Sequence, residues 1–284
     1  MDVRAAGALG PLRGFMFDVD GTLVLGDRAG GSYDLLPGAV QVLEALNERS
    51  FPYVLLTNGS ARPPAEVAAK LRHVGLPVAD EQMLTPSSVA ADYLARQGIE
   101  RVLILGTAGV GQPLEERGLR ILWPDSSEAK EAEAVYVGWH PECGMRDIEV
   151  AARAIWGGAK FYAASDVPFF ATREGRSIGY SHAIVAAIKS LTGKRVVVLG
   201  KPSQHAMRFV ARKLGASIGH IGVVGDDPLV EIEMARRGGA IGVGVTTGLT
   251  PAEVWASQPE ARRPHLVLNT VGDLLRTEHL LLDA

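Results

Sequence analysis

The sequence holds one cysteine, Cys143, which excludes an intrachain disulfide and any cysteine-based metal cluster. Nothing in its neighbourhood argues for a lowered thiol pKa, so Cys143 reads as a plain loop residue. No stretch approaches the ~20 apolar residues of a membrane span. Met1–Arg13 carries two arginines but no apolar run of signal-peptide length, and reads as a frayed terminus. An excess of one charge is also lacking. The net charge is −3 without a dense Lys/Arg stripe, which argues against a nucleic acid polymer as partner. Aromatic residues are only 6% and scattered, so no base-stacking platform is visible. No fixed-period repeat occurs. What remains is a chain of ordinary globular composition, expected in the cytoplasm, whose 284 residues suffice for a large core in one or two domains.

The most informative stretch is Gly14–Val24, GFMFDVDGTLV. A short apolar run, stopped by Asp and Gly, reads as a buried strand with a loop at its C-terminal end. In open α/β sheets ligands bind there. Asp18 and Asp20 lie close enough to repel, unless a cation sits between them or one keeps its proton. Either outcome suits chemistry: a Mg²⁺ site, or a nucleophile beside a general acid. A surface turn is the plain alternative, but a fully apolar strand feeding D-x-D-G-T is a specific pattern.

The same rhythm continues. Pro37-Gly38 opens an amphipathic helix to Glu48, Phe51–Leu56 is a strand ending in Thr57-Asn58, and Pro63–His73 is a helix. Ser87 or Ser88 is expected to cap a helix reaching Gln97, followed by a strand at Arg101–Leu105 and a short helix near Pro113–Arg117. Strands at Ala134–Gly138 and Lys160–Ala164 flank a helix at Arg146–Ile155. A helix at His182–Leu191 precedes the strand Arg195–Leu199, which ends in Gly200-Lys201-Pro202-Ser203. Ile221–Val224 then ends in Gly225-Asp226-Asp227, and strands at Ala240–Val245 and His265–Leu268 close the chain. Strands alternating with helices imply parallel sheets with crossover helices. The expectation is an α/β protein: a Rossmann-like core from residues 1–83 and 181–284, interrupted by an inserted α/β cap, 84–180.

Four strand ends thus carry the residue types that phosphoryl transfer needs: a nucleophile, carboxylates for a divalent cation, and positive donors. Asp18 is the candidate nucleophile, Lys201 the group to hold developing charge, and Asp226 an oxygen ligand for Mg²⁺. The Thr57 hydroxyl with Asn58 is placed to bind phosphate, and Gly21 allows a tight turn whose N–H can face a phosphate oxygen.

In order and lettering, DVDGTLV, LLTNGS, GKPS and VVGDD resemble the motifs of the haloacid dehalogenase (HAD) superfamily. With Pro37-Gly38-Ala39 and Thr247-Gly248, the match narrows to subfamily IIA, the p-nitrophenylphosphatase and nucleotide-phosphatase branch with a large C2-type cap. The resemblance runs from Gly14 to about Leu275. It implies a Mg²⁺-dependent phosphomonoesterase that forms an aspartyl-phosphate on Asp18. Asp20 would act as general acid and then base, and lend its backbone carbonyl to the metal beside Asp18 and Asp226. The branch's second acid, normally Asp, is Glu231 here, with Asp227 as an alternative near the metal.

The cap departs from the branch. Ala164-Ser165-Asp166-Val167 replaces its Asn-x-Asp, and Gly179-Tyr180-Ser181-His182 its Pro-Gly-x-Gly. Asp166, Arg173, Tyr180 and His182 are the candidate cap contacts to substrate, while His140 and His205 read as surface or capping histidines. The expected partner is a small phosphorylated metabolite, and relatives suggest a homodimer paired through the cap. Alternatives are a binding or regulatory protein on this scaffold, a phosphotransferase or phosphomutase, and a dehalogenase, for which Asp20 is superfluous. The Gly-rich run Gly106–Gly111 is faintly like a dinucleotide loop but has no acid placed to take a ribose.

Overall fold

A computed structural model describes residues 12–26, 32–172 and 175–276, with the backbone alone at 170–172 and 175–176. The chain begins with β1 (Gly14–Phe17), β2 (Val24–Gly26) and β3 (Tyr33–Leu35), followed by α1 (Ala39–Glu48), β4 (Tyr53–Leu56) and α2 (Pro64–His73). Then come β5 (Met83–Leu84), α3 (Pro86–Arg96), β6 (Arg101–Leu105), α4 (Ala108–Glu116), β7 (Arg120–Leu122) and β8 (Ala134–Val137). Next are α5 (Met145–Trp156), β9 (Lys160–Ala163), β10 (Phe169–Thr172), β11 (Gly175–Ile178), α6 (Tyr180–Thr192) and β12 (Val197–Val198). The last elements are α7 (Gln204–Leu214), β13 (Ile221–Gly225), α8 (Glu233–Gly238), β14 (Ile241–Val245), α9 (Ala252–Ala256) and β15 (Leu266–Leu268).

Two parallel sheets result. One has the order β15-β14-β13-β1-β4-β5, the other β12-β9-β8-β6-β7. β1 is central and wholly buried, as its unbroken GFMF run requires when both faces are covered by helices. Two antiparallel hairpins, β2–β3 and β10–β11, complete the strands of the described residues. Neither hairpin is readable as a pattern in the sequence, because each strand has only three or four residues.

Several elements differ from the sequence reading. The third helix starts at Pro86 with Thr85 as its N-cap, and Ser88 serves one turn in, its Oγ accepting the Thr85 N–H at 3.2 Å. The helix expected near Pro113 begins at Ala108 and carries Pro113 inside it. The strand expected at Arg195–Leu199 shrinks to Val197–Val198, and it pairs with β9 at the edge of the second sheet. Ile184, Val185 and Ile188 of α6 pack into the core of that same sheet. The sequence reading gave this stretch to the first unit from residue 181. The sheet pairing corrects it, and the chain rejoins the first sheet's layers only after Leu199.

Helix α3 binds the two sheets together. Its Val89, Ala90 and Leu94 lie in one continuous apolar cluster with Met16, Val54 and Leu84 of the first sheet and Val102, Ile104 and Tyr136 of the second. Each fully buried side chain of Val or Leu size contributes about 1.5–3 kcal/mol, so this layer is a substantial joint.

Candidate active site

The neighbouring strands β13, β1 and β4 end at the same edge of their sheet. The chain leaves β1 toward β4 on one side and returns to β13 on the other, which makes this edge the topological switch point. Asp18 follows β1, Thr57 follows β4 and Asp226 follows β13. The Asp18 N–H is anchored on the Val224 carbonyl at 2.9 Å, which fixes where its carboxylate emerges.

Lys201 enters from a loop, yet is 1% exposed. Its ammonium donates to Asp18 and, at 2.7 Å, to Glu231 Oε1. Burial alone would lower its pKa; the charges of Asp18 and Glu231 more than offset that and hold it above the ordinary lysine range. Its main chain is clasped by one side chain. Asn58 Nδ2 donates to the Lys201 carbonyl at 3.0 Å, and Asn58 Oδ1 accepts the Lys201 N–H at 2.9 Å. Both polar ends of Asn58 are thereby engaged, so it positions the lysine where the sequence reading had it touching phosphate.

Asp226 sits between two glycines. A Cβ on Gly21 would lie 2.4 Å from Asp226 Oδ2, and one on Gly248 would lie 1.9 Å from it. The same oxygen accepts the Leu249 N–H at 2.7 Å. Gly21 itself turns with φ +84°, its carbonyl accepts from the Thr247 hydroxyl at 2.7 Å, and its N–H donates to the Val24 carbonyl at 2.7 Å. The phosphate contact expected of that N–H is corrected accordingly: the donor closes the turn.

Asp20 points elsewhere. Its carboxyl accepts from the Gly26 N–H and the Thr57 hydroxyl, and burial followed by the Asp18 charge pushes its pKa up to about 7. A carboxyl poised there gives and takes protons near neutrality. Thr57 Oγ1 also accepts the Gly59 N–H at 2.9 Å, so this hydroxyl braces the loop as well. Asp227 caps the turn that follows, its Oδ1 accepting the Leu229 N–H at 2.7 Å, and its N–H reaches Glu231 Oε2 at 3.3 Å.

Carboxylate oxygens of Asp18, Asp226 and Glu231 lie within 4.8 Å of one another. Burial, then the neighbouring negative charges, raise the Asp226 and Asp227 pKa values. Glu231 is raised as well, by burial first, with Lys201 pulling the other way. An all-oxygen, electrostatically crowded set is what a hard divalent cation relieves, so these residues fit Mg²⁺. The Asp20 carboxylate lies outside this set.

Above the cluster lies a cleft of about 200 Å³ between the two sheets' units. Its walls are largely apolar: Trp139, Val167, Phe169, Ile178 and Tyr180 from the second unit, Tyr33, Val67 and Leu249 from the first. Trp139 and Tyr180 meet edge to face, 5.6 Å between centroids. The loop after β4 closes one side. Ser60 Oγ accepts the Trp139 N–H at 2.9 Å, the Thr107 hydroxyl donates to the Ala61 carbonyl at 3.0 Å, and Arg62 lines the cleft.

Of the four cap candidates, Tyr180 lines the cleft. Asp166 and His182 bond to each other at 2.8 Å and do not line it, and Arg173 lies outside the described residues. Sequence reasoning missed Trp139, Tyr33, Phe169 and Arg62. Trp139 alone left a readable signal, since it follows Gly138 just past a strand end.

The chain matches the haloacid dehalogenase-like hydrolases over residues 15–120 and the HAD-hydrolase-like family over 198–274. It is 32% identical, over 94% of its length and 72% of the relative, to a D-glycerol 3-phosphate phosphatase of Mycobacterium tuberculosis. The crystal structure of a glycerol phosphate phosphatase from that organism in complex with magnesium superposes with a TM-score of 0.80 at 30% identity, covering 95% of this chain and 78% of that one. A p-nitrophenyl phosphatase from Archaeoglobus fulgidus gives 0.82 at 26% identity, covering 94% and 99%. Motif order, strand-end geometry and these likenesses agree: the chain belongs to the haloacid dehalogenase-like hydrolases.

Proposed function

We propose that the chain hydrolyses a small phosphomonoester through a covalent aspartyl-phosphate on Asp18. The observation that carries this reading is the buried contact of Lys201 with Asp18, beside an Asp20 carboxyl held near neutrality. An Asp18 oxygen attacks phosphorus in line with the ester oxygen. Lys201, already bonded to that carboxylate, faces the charge on the transferred oxygens. Protonated Asp20 delivers its proton to the departing alkoxide, a role worth roughly 10²–10⁴ in rate. The resulting Asp20 carboxylate then takes a proton from water, which attacks phosphorus and frees Asp18 and inorganic phosphate. Asp18, Asp226 and Glu231 would hold Mg²⁺, which would supply positive charge to offset that of the phosphoryl oxygens.

The cleft supports a small leaving group with an apolar or ring-like face, since aromatic side chains line it from above. The named relatives act on glycerol phosphate and p-nitrophenyl phosphate. A panel of such esters, with nucleoside monophosphates and sugar phosphates, assayed for phosphate release with Mg²⁺ and with EDTA, tests the reading. Release that EDTA abolishes supports it; metal-independent release, or none from any ester by folded protein, contradicts it.

A homodimer in the cytoplasm goes with this reading. Trp156 on α5 and Leu191 on α6 are exposed apolar residues of the cap that a second copy would cover. Sedimentation of wild type against Trp156→Glu checks the pairing, a monomer in both contradicting it; cell fractionation checks the location.

A further inference from the structure

The loop from β8 to α5 gathers the chain's only cysteine, a histidine and an aspartate, which the sequence reading left unrelated. We propose that His140, Cys143 and Asp147 form a second metal site, which takes one Zn²⁺. Their donor atoms all lie within 4.8 Å of one another, on partly buried side chains. His140 Nε2 stands 3.6 Å from Asp147 Oδ2, too long for a good hydrogen bond. Two ligands at ~2.0–2.3 Å from one tetrahedral ion stand roughly 3.3–3.8 Å apart, so that gap suits an ion between them.

The backbone holds the arrangement without the ion. The Cys143 N–H returns to the His140 carbonyl at 3.3 Å, which sets the two side chains on one turn. Asp147, in the first turn of α5, is fixed because its Oδ2 accepts the Gly144 N–H at 2.8 Å. Capping explains that last bond; it does not explain why a histidine and a thiol also converge on the carboxylate. A nitrogen, sulfur and oxygen donor set selects Zn²⁺ over Mg²⁺, in contrast to the all-oxygen catalytic cluster. On binding, the Cys143 S–H bond is replaced by S–Zn and the proton goes to solvent, leaving a fourth position for water. Trp139, the residue before His140, lines the catalytic cleft, so an ion here stiffens the cleft wall.

The test uses Co²⁺ as an absorbing substitute for Zn²⁺ in metal-free full-length protein. The catalytic cluster has no sulfur, so a sulfur-to-cobalt charge-transfer band reports this loop alone. One equivalent of band, displaced by Zn²⁺, is expected in wild type and none in Cys143→Ser. His140→Ala and Asp147→Asn should each weaken Co²⁺ by more than about 100-fold, beyond the ~10–100-fold that an outer-sphere loss costs. An asparagine oxygen can still accept the Gly144 N–H, so Asp147→Asn separates ligation from folding. Absence of the band in wild type, or an unchanged affinity in His140→Ala that marks a lone thiol, overturns the proposal. Phosphate release is a separate readout, so this result and the catalytic reading stand or fall independently.

Discussion

Asn58 shows how a residue type can be right and its contact wrong. Thr-Asn after a strand suggests a phosphate cradle, but both amide ends clasp the Lys201 main chain from 143 residues away. Asn58→Ala should therefore act through the lysine. We expect kcat to fall by up to about 100-fold, as misplacement of a catalytic group does, with KM little changed. A steady-state comparison checks this, and a raised KM with unchanged kcat would return Asn58 to the phosphate. Glu231 is similar: its place five residues after Asp226 was legible, but its bond to Lys201 was not, because that partner lies 30 positions away. Gly248 makes a steric prediction. A methyl group 1.9 Å from Asp226 Oδ2 must displace that carboxylate. Gly248→Ala should raise the Mg²⁺ concentration for half-maximal activity at least ~10-fold in folded protein; an unchanged Mg²⁺ dependence would deny Asp226 its role.

At the scale of elements, strands with unbroken apolar runs were legible because both faces are covered. Phe15–Phe17 and Arg101–Leu105 stand where the pattern puts them. The Arg195–Leu199 run was legible as a strand but not as to sheet, since pairing with β9 is decided by tertiary contact that no local pattern encodes. The hairpins are too short to carry a period, yet they bring Tyr33 and Phe169 to the cleft. The loop after β4 is the element that joins cleft wall to catalytic edge. Thr107→Val removes its hydrogen bond to Ala61 with nearly the same shape. It should cost about 0.5–1.5 kcal/mol in stability and raise KM more than it lowers kcat; equal kinetics would show that this contact does not shape the cleft.

Across the whole molecule, the two sheets share a core through α3, where Ser87 also approaches the Tyr136 hydroxyl at 3.5 Å. One calorimetric transition is expected, and Leu94→Ala should lower it by the equivalent of about 2–5 kcal/mol. Two resolved transitions, with only one moved, would mean that the units fold separately. Through this joint the second unit's aromatic wall is held over the carboxylates that the first sheet's edge presents, and the chemistry depends on Asp18 at the centre of that edge. Phosphate release by wild type and Asp18→Asn, with Mg²⁺ and an ester that wild type cleaves, is the most direct measurement. The account predicts that the variant folds, retains its single transition and releases no phosphate above background. Release that survives Asp18→Asn would contradict covalent catalysis by this carboxylate.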